Sequence, residues 1–313
     1  MERTLELAGR LRSELRRVIF GQDDLIDMLC TAVLSRGHIL IEAVPGMGKT
    51  RAARALGKLI DGEFRRIQFT PDLMPGDIVG TTVYSFQSQH FEVVKGPVFA
   101  HVILADEVNR APAKTQSALL QAMEERRVNI AGKDLDLSER FVVIATQNPL
   151  EMEGTYPLPE AQLDRFMLKI EMGYPGLEEE KNIYLNQMTP SKDQEALLKP
   201  VIREEDMKQI WEDMEGMLVD EKILEYVSEI ILKTRNFPGI AFGASPRAGI
   251  HLLTAARAWA ITQERDYVIP DDIKDLAIPV LAHRLVLDPE SELEGVAPSD
   301  YLRKILNEVV VFS

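Results

Sequence analysis

Residues 39–50 read ILIEAVPGMGKT, and this stretch decides the fold. An apolar run typical of a buried strand leads into a turn with Gly46 and Gly48, and a segment with helical periodicity, RAARALGKLI, follows. A strand, a glycine turn ending in Lys49 and a helix are typical of a phosphate-binding loop. The strict pattern G-x-x-x-x-G-K-[ST] has glycine where this chain has Ala43.

The loop supplies the chemistry that a nucleotide needs. Its backbone N–H groups and the positive end of the following helix would face phosphates, and because Pro45 has no N–H, the donors come from Gly46 onward. We expect Lys49 to reach the β- and γ-phosphates and the Thr50 hydroxyl to bind Mg²⁺. The predicted phosphate-binding residues are Pro45, Gly46, Met47, Gly48, Lys49 and Thr50.

The departure at Ala43 bears on the geometry of the loop and leaves its hydrogen-bond donors unchanged. A positive φ there would cost alanine ~1 kcal/mol, whereas an extended backbone costs almost nothing. Nucleotide affinity or rate is therefore the property that Ala43 puts in question. The simpler alternative for the loop is a glycine-rich turn into a helix with a surface lysine.

Three apolar runs without alternation are typical of strands buried on both faces of a parallel sheet: 38–42, 101–106 and 140–146. Helical patterns lie between them. The sequence therefore predicts a doubly wound α/β core.

The second of these runs, HVILADE, ends in two carboxylates at the strand's carboxyl end, where open α/β sheets bind ligands. We assign Asp106 to the metal and Glu107 to the general base that deprotonates the attacking water. Taken alone, the two acids could simply be solvated loop residues. The loop upstream makes the catalytic interpretation the better one.

Three further polar residues occupy suggestive places. Asn148, after the third run, could hydrogen-bond the γ-phosphate and the water, or simply form an Asn-Pro turn. Arg165 is expected on the outer side of the core with no evident task in its own subunit, and a solvated or paired arginine is the ordinary alternative. Arg247 falls in the first turn of a helix after the N-cap Ser245, where its charge opposes the helix dipole. A nearby anion would compensate for this, and that anion could equally be the carboxylate of a structural salt bridge.

The organisation changes near residue 172. We expect an α/β nucleotide-binding core at 1–172 and a smaller all-helical lid domain at 173–313, with Gly173, Pro175 and Gly176 as the hinge. Alternating segments predict hairpin inserts at 81–94 and 127–137.

Composition limits the function classes. The net charge of -14 disfavours binding to nucleic acid or anionic lipid, and neither a membrane span nor a signal peptide is evident. The single cysteine, Cys30, lies in an apolar run and is interpreted as a core thiol, and the histidine spacings indicate no zinc site. We expect a cytoplasmic protein without membrane insertion.

Together these motifs resemble the MoxR family of AAA+ ATPases over nearly the whole chain. The segments that carry the resemblance are GQ at 21–22, PGMGKT at 45–50, QFTPDLMPGDIVG at 68–80, GPVFAHVILADEVNRAPAKTQSALLQAMEE at 96–125, ATQNP at 145–149, YPLPEAQLDRF at 156–166 and GASPRA at 243–248.

The resemblance implies roles beyond those that spacing indicates. Asn148 would be sensor 1, and Arg247 would be sensor 2, reaching from the lid to the γ-phosphate. Arg165 would be the arginine finger that acts on the neighbouring subunit. Gly21 and Gln22 would close over the adenine. The hairpins would be the helix-2 insert and the pre-sensor 1 hairpin, both facing the pore of a ring, and the alternative for each is a surface excursion.

The resulting hypothesis is a ring-forming ATPase that binds ATP and Mg²⁺ between core and lid and remodels or matures a protein client in a chaperone-like way. The resemblance suggests a hexamer and, as a frequent partner, a separate protein with a von Willebrand factor A domain. A nucleotide-gated scaffold with little turnover is the alternative, slightly favoured by Ala43. A nucleic-acid motor is disfavoured by the acidic charge.

Overall fold

The chain is described by a computed structural model over residues 1–44, 46–149, 154–174, 176–188 and 195–311. Pro45 of the predicted loop and Pro175 of the predicted hinge lie outside these ranges. The helices are α1 Glu2–Arg16, α2 Asp23–Leu34, α3 Lys49–Leu59, α4 Pro75–Val79, α5 Ala113–Glu125, α6 Glu160–Leu163, α7 Leu177–Met188, α8 Glu204–Glu215, α9 Glu221–Asn236, α10 Pro246–Thr262, α11 Pro270–Leu281, α12 Pro289–Leu293 and α13 Pro298–Glu308. The strands are β1 Ile39–Ala43, β2 Phe64–Gln68, β3 Gly80–Ser85, β4 His90–Lys95, β5 Val102–Asp106, β6 Arg127–Ile130, β7 Lys133–Asp136, β8 Val142–Gln147, β9 Leu168–Met172, β10 Ile240–Phe242 and β11 Val286–Leu287.

The core is a five-stranded parallel sheet in the order β2-β5-β8-β1-β9. The three predicted strands are its three central ones, shifted by one or two residues from the predicted bounds. The two edge strands, β2 and β9, were not predicted. The doubly wound α/β fold is confirmed.

Alternate residues of the central strands enter two different apolar layers. Leu40 and Val143 belong to the layer that contains α5, whereas Ile41 and Ile144 belong to the layer that contains α3 and the helices after residue 200. Helices thus cover both faces, which explains why these strands are apolar without alternation.

Both alternating segments form two-stranded antiparallel hairpins, β3–β4 and β6–β7. The first carries an exposed aromatic group at its end, where Tyr84 meets Phe86 and Phe91 edge-on at centroid distances of 5.3 and 5.4 Å.

The part of the chain after residue 200 is mainly helical. It also contains a two-stranded antiparallel ribbon, β10–β11, which the sequence analysis did not predict. The amino-terminal helices α1 and α2 pack against α10, and the Arg12 side chain of α1 bonds both Asp27 and Gln263. The amino-terminal helices therefore join the sheet to the carboxyl-terminal helices, and the division at residue 172 stays a prediction. None of the helices in the described ranges is long and apolar enough to span a membrane.

Candidate functional site

The loop after β1 has the backbone that its glycines predict. Gly46 has φ 90° and Gly48, the N-cap residue of α3, has φ 72°, and both values lie in the left-handed region that favours glycine. A Cβ at either glycine would meet no described atom within 4 Å, so the glycines are required by conformation and the space beside them is open. Open space beside a helix N-terminus suits a phosphate group.

Lys49 begins α3, and its Nζ donates to the carbonyl of Ala43 at 3.1 Å. Burial lowers the pKa of Lys49, while the nearby carboxylates of Asp106 and Glu107 act in the opposite direction. The ammonium therefore lies within electrostatic reach of both acids, as the prediction requires. Thr50, the next residue, is partly buried in the first turn of α3.

Ala43 needs no glycine. It is the last residue of β1, buried and paired in register with Met172, and it is not among the residues with positive φ. Its extended backbone carries no conformational penalty. The departure from the strict loop pattern therefore leaves the geometry of the loop intact.

Asp106 ends β5 and is held from two sides. Its Oδ1 accepts from the Thr146 hydroxyl at 2.6 Å, and its Oδ2 accepts from Nη2 of Arg66 at 2.6 Å. Oδ2 also accepts from Nε of Arg66 at 3.1 Å, whereas Oδ1 keeps a second lone pair that can face a cation or its water shell. With the Thr50 hydroxyl, Asp106 offers the hard oxygen donors that Mg²⁺ prefers. No group of three or more metal-ligating side chains occurs in the described part of the chain.

Glu107 has a left-handed backbone, with φ 58° and ψ 51°. Its N–H donates to the Thr146 hydroxyl at 2.9 Å, and its Oε2 accepts from Nε2 of Gln68 at 2.8 Å. Arg110 also contacts Oε2, at 3.2 Å. Non-glycine residues in this conformation are uncommon and cluster at functional sites. The backbone turns the Glu107 side chain away from the direction that a continued strand would give it.

Asn148 follows β8, which lies between β5 and β1 in the sheet. Its side chain is buried, with 6% exposure. The structure thus brings Asn148 to the same sheet edge as the loop and the two acids. This is the position that its predicted role requires.

Sequence reasoning missed Arg66, Gln68 and Thr146. The first two lie on the edge strand β2, whose sequence FRRIQ has too many charges to be recognised as a buried strand. Thr146 could be recognised as the polar end of an apolar run. Its contact with the two acids could be predicted only by knowing that β8 lies next to β5 in the sheet.

Gln22 lies at the loop, where its Nε2 donates to the carbonyl of Met47 at 3.1 Å. The two residues line a cavity of about 350 Å³ with Gly21 and Tyr174. Gln22 Oε1 is buried and has no hydrogen-bond partner among the described residues. A buried acceptor of this kind suits a donor such as the amino group of adenine.

The walls of this cavity come from three parts of the chain. All its lining residues lie between 21 and 25, at 47 or between 170 and 174. The lining includes Gly173 and Tyr174, the first residues of the predicted lid, and binding of the nucleotide between core and lid stays a prediction.

Arg165 and Arg247 lie elsewhere. Arg165 contacts Glu124 at 2.5 Å, and Arg247 contacts the same carboxylate at 3.3 Å. Glu124 is in the last turn of α5, next to Met123, whose carbonyl contacts the ring of His38 just before β1. This is the amino edge of the sheet. A strand of five residues rises roughly 16 Å, which separates this edge from the loop.

These contacts leave the roles of both arginines as predictions. Arg165 has a partner within its own subunit, contrary to expectation, although its location away from its own loop agrees with a role at a neighbour's site. For Arg247 the structure shows the salt-bridge alternative. The first turn of α10 lies against the carboxyl end of α5, and the role of Arg247 as sensor 2 stays a prediction.

Comparison with known proteins gives consistent matches. A family model described as the ATPase family associated with various cellular activities (AAA) matches residues 38–168, and a model of the AAA lid domain matches residues 232–305. An uncharacterised Bacillus subtilis protein, YeaC, is 46% identical over 97% of this chain and 95% of its own length. The chaperone MoxR1 of Mycobacterium tuberculosis is 42% identical over 95% of this chain and 80% of its own.

A solved structure of a candidate ATPase from Cytophaga hutchinsonii superimposes with a TM-score of 0.91 at 40% identity. The match covers 100% of this chain and 98% of the other.

Proposed function

Because this chain belongs to the MoxR family of AAA+ ATPases, we propose that it binds ATP with Mg²⁺ at the loop after β1, hydrolyses it, and works as a ring on a protein client. The observation that carries the proposal is that Lys49 and the pair Asp106 and Glu107 lie at the carboxyl ends of parallel strands in one sheet. A phosphate-binding cation beside a metal-binding acid and a base is the arrangement that phosphoryl transfer to water needs.

The binding step uses the loop. Amides from Gly46 onward and the ammonium of Lys49 would hold the phosphates, and Gln22 would meet the adenine. Thr50 and Asp106 would hold Mg²⁺, which when bound neutralises charge on the phosphate oxygens. The lysine must leave the Ala43 carbonyl to do so, which costs about one ordinary hydrogen bond and is offset by the phosphate charge.

The hydrolytic step uses Glu107. Gln68 and Arg110 both contact its Oε2, so the carboxylate is held by one oxygen. We expect Oε1 to take the proton of the attacking water, with Asn148 orienting that water. A positioned base of this kind contributes roughly 10²–10⁴ in rate.

The remaining part of the site would come from a neighbouring subunit. Arg165 and Arg247 lie at the sheet edge opposite their own loop, which supports a role for both at a nucleotide bound to the neighbouring subunit. An arginine finger supplied in trans is worth about 10³–10⁵ in rate, so an isolated subunit should be nearly idle. Six subunits are the number that the resemblance suggests.

The name of one relative bears on the biological role. The name of MoxR1 describes that relative as a chaperone, which supports a remodelling or maturation role here. A separate von Willebrand factor A domain protein as partner, the pore-facing role of the two hairpins and a cytoplasmic location stay predictions. The scaffold alternative drew its support from Ala43, and the extended backbone of Ala43 removes that support.

Two variants test the proposal. Lys49→Ala should lose nucleotide binding in calorimetry, whereas Lys208→Ala, an exposed lysine on α8, should bind like the parent. Glu107→Gln should bind ATP and release no phosphate. Undiminished binding by Lys49→Ala would refute the loop assignment, and normal turnover by Glu107→Gln would refute the base.

A further inference from the structure

Three separate elements meet at one carboxylate, that of Glu124. Its Oε2 pairs with Nη1 of Arg165, in the turn before β9, at 2.5 Å. Its Oε1 pairs with Nη1 of Arg247, in the first turn of α10, at 3.3 Å. Each oxygen thus holds one guanidinium, one from the core and one from the carboxyl-terminal helices.

The helix ends explain why these residues pair. Glu124 lies in the last turn of α5 and Arg247 in the first turn of α10, and each charge is at the unfavourable end of its own helix dipole. Facing each other, each lies at the favourable end of the other helix. The interaction therefore favours docking of the α10 N-terminus on the α5 C-terminus.

The contribution to stability is small. The side chains of Arg165, Arg247 and Glu124 are 30%, 47% and 38% exposed, and exposed pairs contribute little to folding. The carboxylate also acts on the two arginines, because two guanidinium groups drawn together without an anion would repel each other. Glu124 removes this repulsion and leaves the group with one net positive charge.

We propose that Glu124 is a positioning residue that holds Arg165 and Arg247 together as one pair for the triphosphate of a neighbouring subunit. This rests on the proposed function, in which both arginines act in trans. Because the ion pairs are weak and exposed, the triphosphate can attract both guanidinium groups. The shared carboxylate of Glu124 keeps Arg165 and Arg247 close to each other as they move. Nucleotide binding at the subunit's own loop, at the other sheet edge, does not involve Glu124.

The test compares Glu124→Gln with the matched control Glu125→Gln. Glu125 is the adjacent exposed glutamate of α5, and its Oε1 accepts from Gln121 at 2.9 Å. Both changes remove one charge at the same helix end and keep the side-chain shape. We expect the kcat of Glu124→Gln to fall about tenfold or more, since a neutral amide cannot offset the repulsion between two guanidinium groups.

A merely structural role would give a different pattern. Positioning predicts that Glu124→Gln keeps the parent's ATP affinity, unfolding temperature and assembly, and that Glu124→Asp, which keeps the charge, recovers part of the loss in kcat. It also predicts that Arg247→Ala lowers kcat less in the Glu124→Gln background than in the parent. Equal losses in kcat and in ATP affinity, or equal effects of Arg247→Ala in both backgrounds, would overturn it.

The Arg165→Ala and Arg247→Ala variants separate this inference from the function on which it rests. If both retain the parent's turnover, the trans arrangement itself is wrong. If both lower turnover while Glu124→Gln behaves like Glu125→Gln, the arrangement stands and the positioning role of Glu124 is wrong.

Discussion

Thr146→Val tests whether one hydroxyl organises both acids. Thr146 is fully buried in β8, and its hydroxyl donates to Asp106 and accepts from the N–H of Glu107. Valine has nearly the same shape, so the change removes two hydrogen bonds and leaves the packing in place.

The magnitude follows from the kinds of bond that are lost. A hydrogen bond to a charged acceptor contributes about 1.5–3 kcal/mol, and a buried N–H left without a partner costs about 1–3 kcal/mol. Because the more apolar valine offsets part of this, we expect a loss of about 2–4 kcal/mol in the free energy of unfolding. The left-handed backbone of Glu107 would also lose the bond that holds it, so kcat should fall roughly 10–100-fold.

The assay is urea denaturation of the nucleotide-free protein, with steady-state phosphate release measured in parallel. Thr146→Ser is the control, because it keeps the hydroxyl and removes only a methyl group. A Thr146→Val variant as stable and as fast as Thr146→Ser would refute the reasoning.

Three further predictions concern assembly, pH and reactivity. Glu107→Gln and Arg165→Ala should each lack ATP turnover alone and regain it when mixed, because a mixed interface combines an intact base with an intact arginine. A mixture as inactive as its components would exclude action in trans. Burial lowers the pKa of His38 from 6.5 to about 3 in the folded protein. Because the unfolded chain binds the proton at higher pH, the free energy of unfolding decreases as the pH falls from about 6.5 toward 3. His38→Gln should flatten this loss by about 1.4 kcal/mol per pH unit in denaturation curves, and an unchanged slope would contradict the assignment. Burial also raises the pKa of Cys30, so maleimide should label this thiol only after unfolding, as mass spectrometry would show.

The strands that could be predicted from the sequence are the ones that the sheet buries on both faces. β1, β5 and β8 are apolar except near their carboxyl ends, because helices cover them on either side. β2 and β9 lie at the sheet edges, where partial exposure permits the charged sequences FRRIQ and LKIEM. Periodicity cannot separate such segments from loops.

The candidate site divides in the same way. Lys49 and the acid pair could be predicted because each depends on a short local pattern that fixes the residue's place at a strand end. Gln68 could not, because its contact with Glu107 depends on the pairing of β2 with β5. The location of Arg247 depends on a contact across 123 residues, which no local pattern encodes.

The left-handed backbone at Glu107 lowers the stability of the fold, whereas the proposed hydrolysis needs the carboxylate of this residue. Glycine at this position would relieve about 1 kcal/mol of conformational strain while removing the carboxylate. We expect a substitution that gains stability here to give a more stable subunit that still binds nucleotide but no longer hydrolyses it. If the proposed hydrolysis is correct, the glutamate persists only where selection acts on turnover itself, and a relative freed from that selection would keep the fold and lose the reaction.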